Sequence, residues 1–233
     1  MNCLICHDQL TSQIGWAQIF SKETDDNLCE ECRSKLEEIS GEQCKICGRP
    51  NKHGDYSFIQ GETCYDCVRW EQDPAWSGYL VKNTSLFYYN DFLKEILATY
   101  KYRGDYLLAH VFSSYLKATL TKSKFDTLTP IPLSIERQYE RGFNQAEAII
   151  VTAGYQPIHT LVRAHTEKQS KKSRSERIQL PQVFSLLPDV KVKGKMILII
   201  DDIYTTGSTI RHAAKVLKEA GAANVASLTL ARS

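Results

Sequence analysis

Eight cysteines, arranged as four C-x2-C pairs that all fall before Val68, constrain this chain more than any other feature. They are Cys3/Cys6, Cys29/Cys32, Cys44/Cys47 and Cys64/Cys67, with spacers of 22, 11 and 16 residues. Each pair supplies two thiolates from one short turn, and tetrahedral zinc takes four. The set therefore matches two structural four-thiolate sites, with no coordination position left for a substrate. The simplest pairing is sequential, first knuckle with second and third with fourth; the spacing also allows a crossed arrangement. In a reducing cytosol such repeated pairs read as metal ligands rather than structural disulfides. A module this small has little core of its own, and bound metal would staple it.

No cysteine occurs beyond Cys67, which marks a boundary between a cysteine-rich module over 1–75 and a second domain over 76–233. Charge divides at the same place. Residues 1–75 hold seven Lys/Arg against fourteen Asp/Glu, and the remainder holds twenty-two against thirteen. The acidic front repels a nucleic-acid backbone and suits a scaffold or protein-docking role, whereas the basic body is the expected phosphate or nucleic-acid surface. No apolar run approaches the roughly 20 residues that span a bilayer. Met1-Asn2-Cys3 also lacks the charged-then-apolar order of a signal peptide, so a cytoplasmic protein without membrane insertion is expected.

Past Ala75 the pattern alternates between strand and helix. Ser85–Tyr89 reads as a strand, and helical spacing follows through Phe92, Leu93, Ile96, Leu97 and Tyr100, then through Leu107, Leu108, Val111, Phe112, Tyr115 and Leu116. Thr127–Pro132 and Pro157–Val162 read as strands around a helix over Asn144–Ala153. The run Met196–Ile200 has the character of a buried strand, followed by a helix over about Gly207–Ala220 and a strand over Val225–Leu230. Such alternation predicts a mainly parallel α/β sheet flanked by helices. Arg163–Gln182 has no apolar periodicity and is rich in Lys and Arg, which predicts a long basic loop of the kind that often serves as a lid.

The chemistry concentrates in Ile197-Leu198-Ile199-Ile200-Asp201-Asp202-Ile203-Tyr204-Thr205-Thr206-Gly207-Ser208-Thr209. An apolar strand ends in two carboxylates and passes through hydroxyls and a glycine into a helix. Ligands of open α/β sheets bind beyond the carboxyl ends of the strands. The N–H groups opening the helix can cradle a phosphate, with Thr205, Thr206, Ser208 and Thr209 as added donors and Gly207 allowing close approach. Asp201 and Asp202, one step back, can accept hydrogen bonds from vicinal hydroxyls, which describes a site for a sugar 5-phosphate. For both acids to face one ligand the chain must begin to turn at this pair. Neither G-x4-G-K-[ST] nor G-x-G-x-x-G occurs, and His159, His165 and His212 are scattered.

This segment resembles the signature of type I phosphoribosyltransferases for phosphoribosyl pyrophosphate (PRPP). The resemblance implies that Asp201 and Asp202 hold the ribose hydroxyls, that Thr205, Thr206, Gly207, Ser208 and Thr209 hold the 5-phosphate, and that Mg2+ accompanies PRPP. With the knuckles, Lys101-Tyr102-Arg103-Gly104-Asp105, Pro130-Ile131-Pro132-Leu133 and Arg141-Gly142-Phe143-Asn144-Gln145, the whole chain is similar to the ComF/ComFC/GntX group. That likeness implies a type I phosphoribosyltransferase-like α/β domain behind a double zinc ribbon. It places the loop after Pro132 near the pyrophosphate, makes the basic segment a lid, and offers Arg137, Arg141, Arg174 and Arg177 as contacts to pyrophosphate or a DNA backbone. The implied function is competence: uptake of transforming single-stranded DNA with a ComFA-type ATP-dependent helicase as partner. An active PRPP-dependent phosphoribosyltransferase of nucleotide metabolism, and a catalytically silent PRPP sensor or scaffold, are the alternatives.

Overall fold

The computed structural model describes residues 1–10, 27–51, 59–60, 62–163 and 183–233. Helix α1 (Glu30–Lys35) starts at Cys29, whose sulfur accepts the Cys32 N–H. Strands β1 (Ile59–Gln60) and β2 (Thr63–Cys64) form an antiparallel pair, and α2 (Tyr65–Gln72) follows directly. Next come β3 (Asn83–Tyr88) and α3 (Asp91–Tyr102), the latter capped by Asn90, whose side-chain oxygen accepts the Leu93 N–H at 2.9 Å. A short 3-10 turn (Tyr106–Leu108) leads into α4 (Ala109–Leu120). Strand β4 (Thr127–Pro130), α5 (Ile135–Arg141) and α6 (Gln145–Thr152) complete the middle of the chain. The last third holds β5 (Leu161–Arg163), β6 (Phe184–Leu186), β7 (Met196–Tyr204), α7 (Ser208–Glu219) and β8 (Asn224–Arg232).

The main sheet has the order β3-β8-β7-β4, and each neighbouring pair is parallel. Parallel strands require crossover connections, which the helices supply, and a sheet covered on both faces can be apolar on both. On one face Leu128, Leu198, Ile200, Leu228 and Leu230 pack with residues of α3, α4 and α6. On the other, Ile197, Ile199 and Val225 pack with Ile210, Ala213, Ala214 and Leu217 of α7.

The cysteine-rich segment divides between these two faces. Cys3, Leu28, Cys32 and Leu36 join the first cluster, whereas Cys44, Cys47, Cys64 and Cys67 join the second. Between them the chain passes the exposed edge of β3: Ile39 N–H donates to the Leu86 carbonyl at 2.9 Å and Tyr88 N–H to the Glu37 carbonyl at 2.9 Å. A short antiparallel bridge joins Glu38 to Phe87. An open sheet edge is a template for unwanted pairing, and here the protein covers it with its own backbone.

Three sequence expectations are corrected. The segment after Pro132 is not a plain loop but contains α5, capped by Ser134 and ended by Gly142 at φ 76°. The strand read over Pro157–Val162 does not join the main sheet. Its links to β4 are the Ile158 N–H to the Leu128 carbonyl and the contacts of Thr160 with the Thr129 hydroxyl, and the strand proper, β5, pairs antiparallel with β6. The chain also does not turn at Asp201–Asp202, because β8 runs beside β7 as far as the Tyr204–Arg232 pair and holds it extended. Among the described residues no helix is long and apolar enough to cross a membrane.

Candidate functional site

The carboxyl end of β7 and the start of α7 bring the sequence-predicted residues together. Asp201 and Asp202 are half-buried, and the Asp202 N–H donates to Asp201 Oδ1 at 2.9 Å. Asp202 also forms a 2.7 Å ion pair with Lys101 Nζ, from the last turn of α3, with both side chains largely enclosed. Burial raises the Asp201 pKa to about 7; the Asp202 charge adds to this, while Lys101 and Arg163 oppose it. The site thus holds one carboxyl neutralised by an ion pair and one that titrates near neutrality.

Three residues on, Thr205, Thr206 and Gly207 make the turn. Gly207 sits at φ 80° and caps α7 without a side-chain hydrogen bond of its own. Two facts demand glycine here: the left-handed backbone, and a Cβ position that would lie 2.1 Å from the buried Tyr204 hydroxyl. Thr206 Oγ1 accepts the Ser208 N–H at 3.4 Å, and the Gly207 carbonyl accepts the Arg211 N–H at 2.9 Å. Thr205 and Thr209 are exposed, Thr206 and Ser208 half-buried. A helix start presented this way, beyond parallel strands, accepts an anion by its N–H groups and dipole.

Arg137 and Arg141 lie on α5 within the field of Arg163, which also feels Asp201. Burial and the charge of Arg137 lower the Arg163 pKa, so these cations are crowded enough to repel each other. Arg141 donates to Gln145 Oε1 at 2.9 Å and lies over the Tyr102 ring at 5.9 Å, whereas Arg137 is exposed. Arg174, Arg177 and the predicted lid beyond Arg163 lie outside the described residues.

The cysteines form two tetrads, Cys3/Cys6/Cys29/Cys32 and Cys44/Cys47/Cys64/Cys67, and the four sulfurs of each lie within 4.8 Å of one another. The sequential pairing of knuckles is the one adopted. None of the eight is in a disulfide. Tetrahedral zinc with sulfur at about 2.3 Å requires S···S separations of about 3.8 Å. The Cys6–Cys29 and Cys47–Cys64 distances of 3.6 and 3.5 Å fit it. Backbone N–H groups of Cys32 and Cys64 point at the Cys29 and Cys44 sulfurs, as thiolate ligands require of their surroundings.

Comparison with known proteins agrees with this geometry. The phosphoribosyl transferase domain family matches residues 158–233, and the double zinc ribbon domain family matches residues 1–68. Competence protein ComFC of Bacillus subtilis (strain 168) is 40% identical over 99% of this chain and 95% of its own. Competence protein ComFC of Streptococcus pneumoniae is 35% identical over the full length of both. This chain belongs to the ComFC family. It has the type I phosphoribosyltransferase fold with an N-terminal double zinc ribbon. Competence protein F of Haemophilus influenzae, a more distant relative, is 24% identical over 88% of this chain and 96% of its own.

Several residues of this ComFC-family site were not singled out from sequence. Lys101 stood inside a recognised motif, but its ion pair with Asp202 depends on how α3 packs. Trp70, Tyr204, Arg211 and Arg232 surround the turn over 205–207 from four different elements; Tyr204 stands inside the run over 197–209 without a role of its own, and no local pattern announces the other three. His212, read as one of three scattered histidines, is buried against Trp76 at 4.5 Å between ring centroids, and burial lowers its pKa to about 4. It is a core residue.

Proposed function

We propose that this protein acts in the uptake of transforming single-stranded DNA, and that its phosphoribosyltransferase-fold domain binds PRPP with Mg2+ at the end of β7. The Tyr204–Ser208 turn carries this reading, because it presents a glycine-started helix to a phosphate directly beyond two carboxylates. Thr205, Thr206, Gly207, Ser208 and Thr209 would surround the 5-phosphate, and Asp201 and Asp202 would accept from the ribose hydroxyls. Extended strand geometry sends these two side chains to opposite sides of β7, so they would flank the ribose rather than approach it side by side. Mg2+, when bound with PRPP, would neutralise pyrophosphate charge, while Arg137, Arg141 and Arg163 supply fixed positive charge beside it. Zinc in the two tetrads would be structural, since four thiolates leave no open position.

A surface next to this site supports the DNA half of the reading. Tyr102 at the end of α3 is 75% and Tyr139 on α5 91% exposed, and Arg103, which caps α3, and Arg137 on α5 are exposed as well. Exposed aromatic rings interleaved with cations suit single strands, whose unpaired bases stack while phosphates meet the arginines. The acidic ribbon segment, with Glu30, Glu31 and Glu38 exposed, would dock a basic partner such as a ComFA-type helicase. Residues 1–75 would then act as the docking module and 76–233 as the ligand-binding domain of a cytoplasmic protein. The test is fluorescence titration of a single-stranded oligonucleotide across a salt series, paired with transformation assays of an Asp201→Asn/Asp202→Asn strain. Saturable, salt-dependent affinity and a loss of transformation are expected; absence of both would sink the proposal.

One observation favours active transfer as a second reading. A carboxyl titrating near pH 7, as at Asp201, can move a proton to or from a reacting group at neutral pH. Pyrophosphate release from PRPP that depends on one supplied base or amine would establish it, and a broad acceptor panel yielding none would leave binding without turnover.

A further inference from the structure

Three buried side chains join the second cysteine tetrad to the phosphate loop. Trp70, three residues past Cys67 on α2, donates its indole N–H to the Thr206 carbonyl at 3.2 Å. Arg211, in the first turn of α7 and wholly buried, pairs with Glu71 at 2.7 Å, stacks over the Trp70 ring at 5.1 Å and reaches the Cys67 sulfur at 4.0 Å. Arg232, at the end of β8, donates to the Tyr204 carbonyl at 3.1 Å and to the Cys47 sulfur at 3.7 Å, and lies over the Tyr204 ring at 5.0 Å. Tyr204 in turn fills the space that forces glycine at 207.

The charges explain why these contacts belong together. A four-thiolate zinc site carries a formal charge of about −2, and a buried charge is tolerated only when paired. Arg211 and Arg232 set their guanidinium groups against Cys67 and Cys47, with Glu71 sharing the charge of Arg211. Each guanidinium is planar and offers several donors in fixed directions, so orienting it on a sulfur also fixes where its remaining N–H groups point. One set points at the last carbonyl of β7, and the other anchors the first turn of α7. These are the two ends of the phosphate loop. The first tetrad packs instead with the cluster on the opposite face of the sheet.

We propose that Trp70, Arg211 and Arg232 are positioning residues through which the metal-loaded second tetrad holds Tyr204–Ser208 in its phosphate-accepting shape, so that loading of this tetrad, and not the first, sets PRPP affinity. The affinity half rests on the PRPP reading above; the loop-ordering half stands without it.

The experiment begins with hydrogen–deuterium exchange of the zinc-loaded full chain without ligand, comparing wild type with Trp70→Phe, which keeps an aromatic face for Arg211 but removes the donor, and Arg232→Lys, which keeps the charge but removes the fork. Exchange over residues 204–208 should speed several-fold in both variants, with PRPP dissociation constants weakened about 3- to 10-fold, the range one buried hydrogen bond spans. Chelator competition then reads zinc affinity with and without PRPP. By reciprocity PRPP should tighten zinc at the second tetrad by the factor through which that zinc tightens PRPP, and leave the first tetrad unchanged, the two being told apart with a Cys3→Ser/Cys6→Ser variant that keeps only the second; no tightening in that variant would overturn the inference. Unaltered exchange and unaltered PRPP affinity in both variants would overturn the inference while leaving the PRPP site standing. Equal tightening of both zinc sites would overturn it too. Faster exchange in the variants, with no PRPP bound even by wild type, would uphold the loop-ordering role and contradict the PRPP reading.

Discussion

Asp201 carries a stability cost at neutral pH. Its folded-state pKa of about 7 lies above the usual 3.8, so between these values the folded protein holds a proton that the unfolded chain has released. The contribution of the protonated carboxyl is fully present below pH 4 and is lost as pH rises through 7. Asp201→Asn removes this dependence. We expect the variant to be more stable than wild type at pH 8 by on the order of 1–3 kcal/mol, with the gain vanishing near pH 4, in thermal melts across that range. The same variant should lose PRPP. Gly207→Ala tests the loop from the other side. An added methyl meets both a positive φ and the Tyr204 ring, so a destabilisation of about 1–3 kcal/mol is expected by denaturant titration. Stability equal to wild type would show that the loop can relax around it.

At the scale of elements, the unit β7–loop–α7 was legible because every part carries a local signal: an unbroken apolar run, two acids, hydroxyls, glycine and then helical spacing. The knuckle pairing became certain only through packing, since spacing alone also allowed a crossed arrangement. Helix α5 escaped because it buries none of its residues, and without a buried stripe there is no periodicity to read. The β5–β6 hairpin escaped because its strands are three residues each and twenty residues separate them in sequence. The turn misplaced at the acids was governed by the neighbouring strand β8, a non-local partner. Exposure along α3 and α5 also yields a prediction. Tyr102→Ala and Tyr139→Ala should each weaken single-strand binding by about 1–3 kcal/mol with an unchanged salt slope. Arg137→Gln should instead reduce the slope, by about one phosphate contact. Equal effects of all three on the slope would count against a stacking role for the tyrosines.

For the whole molecule, the two cysteine tetrads are built into opposite faces of one sheet, and the chain between them covers its edge. Ribbon and sheet therefore share their core, and metal removal should reach both. We expect the zinc-loaded protein to melt in a single transition, and chelation to lower that transition as a whole rather than split off a separate ribbon step. Two transitions, the later one unaffected by chelator, would show that the sheet stands alone. The most direct test of this account is calorimetric titration of PRPP with Mg2+ into the zinc-loaded protein and into its Asp201→Asn/Asp202→Asn variant. Saturable binding at one site per chain, abolished in the variant, is the predicted result; no heat with wild type, or equal affinity in both proteins, would contradict it.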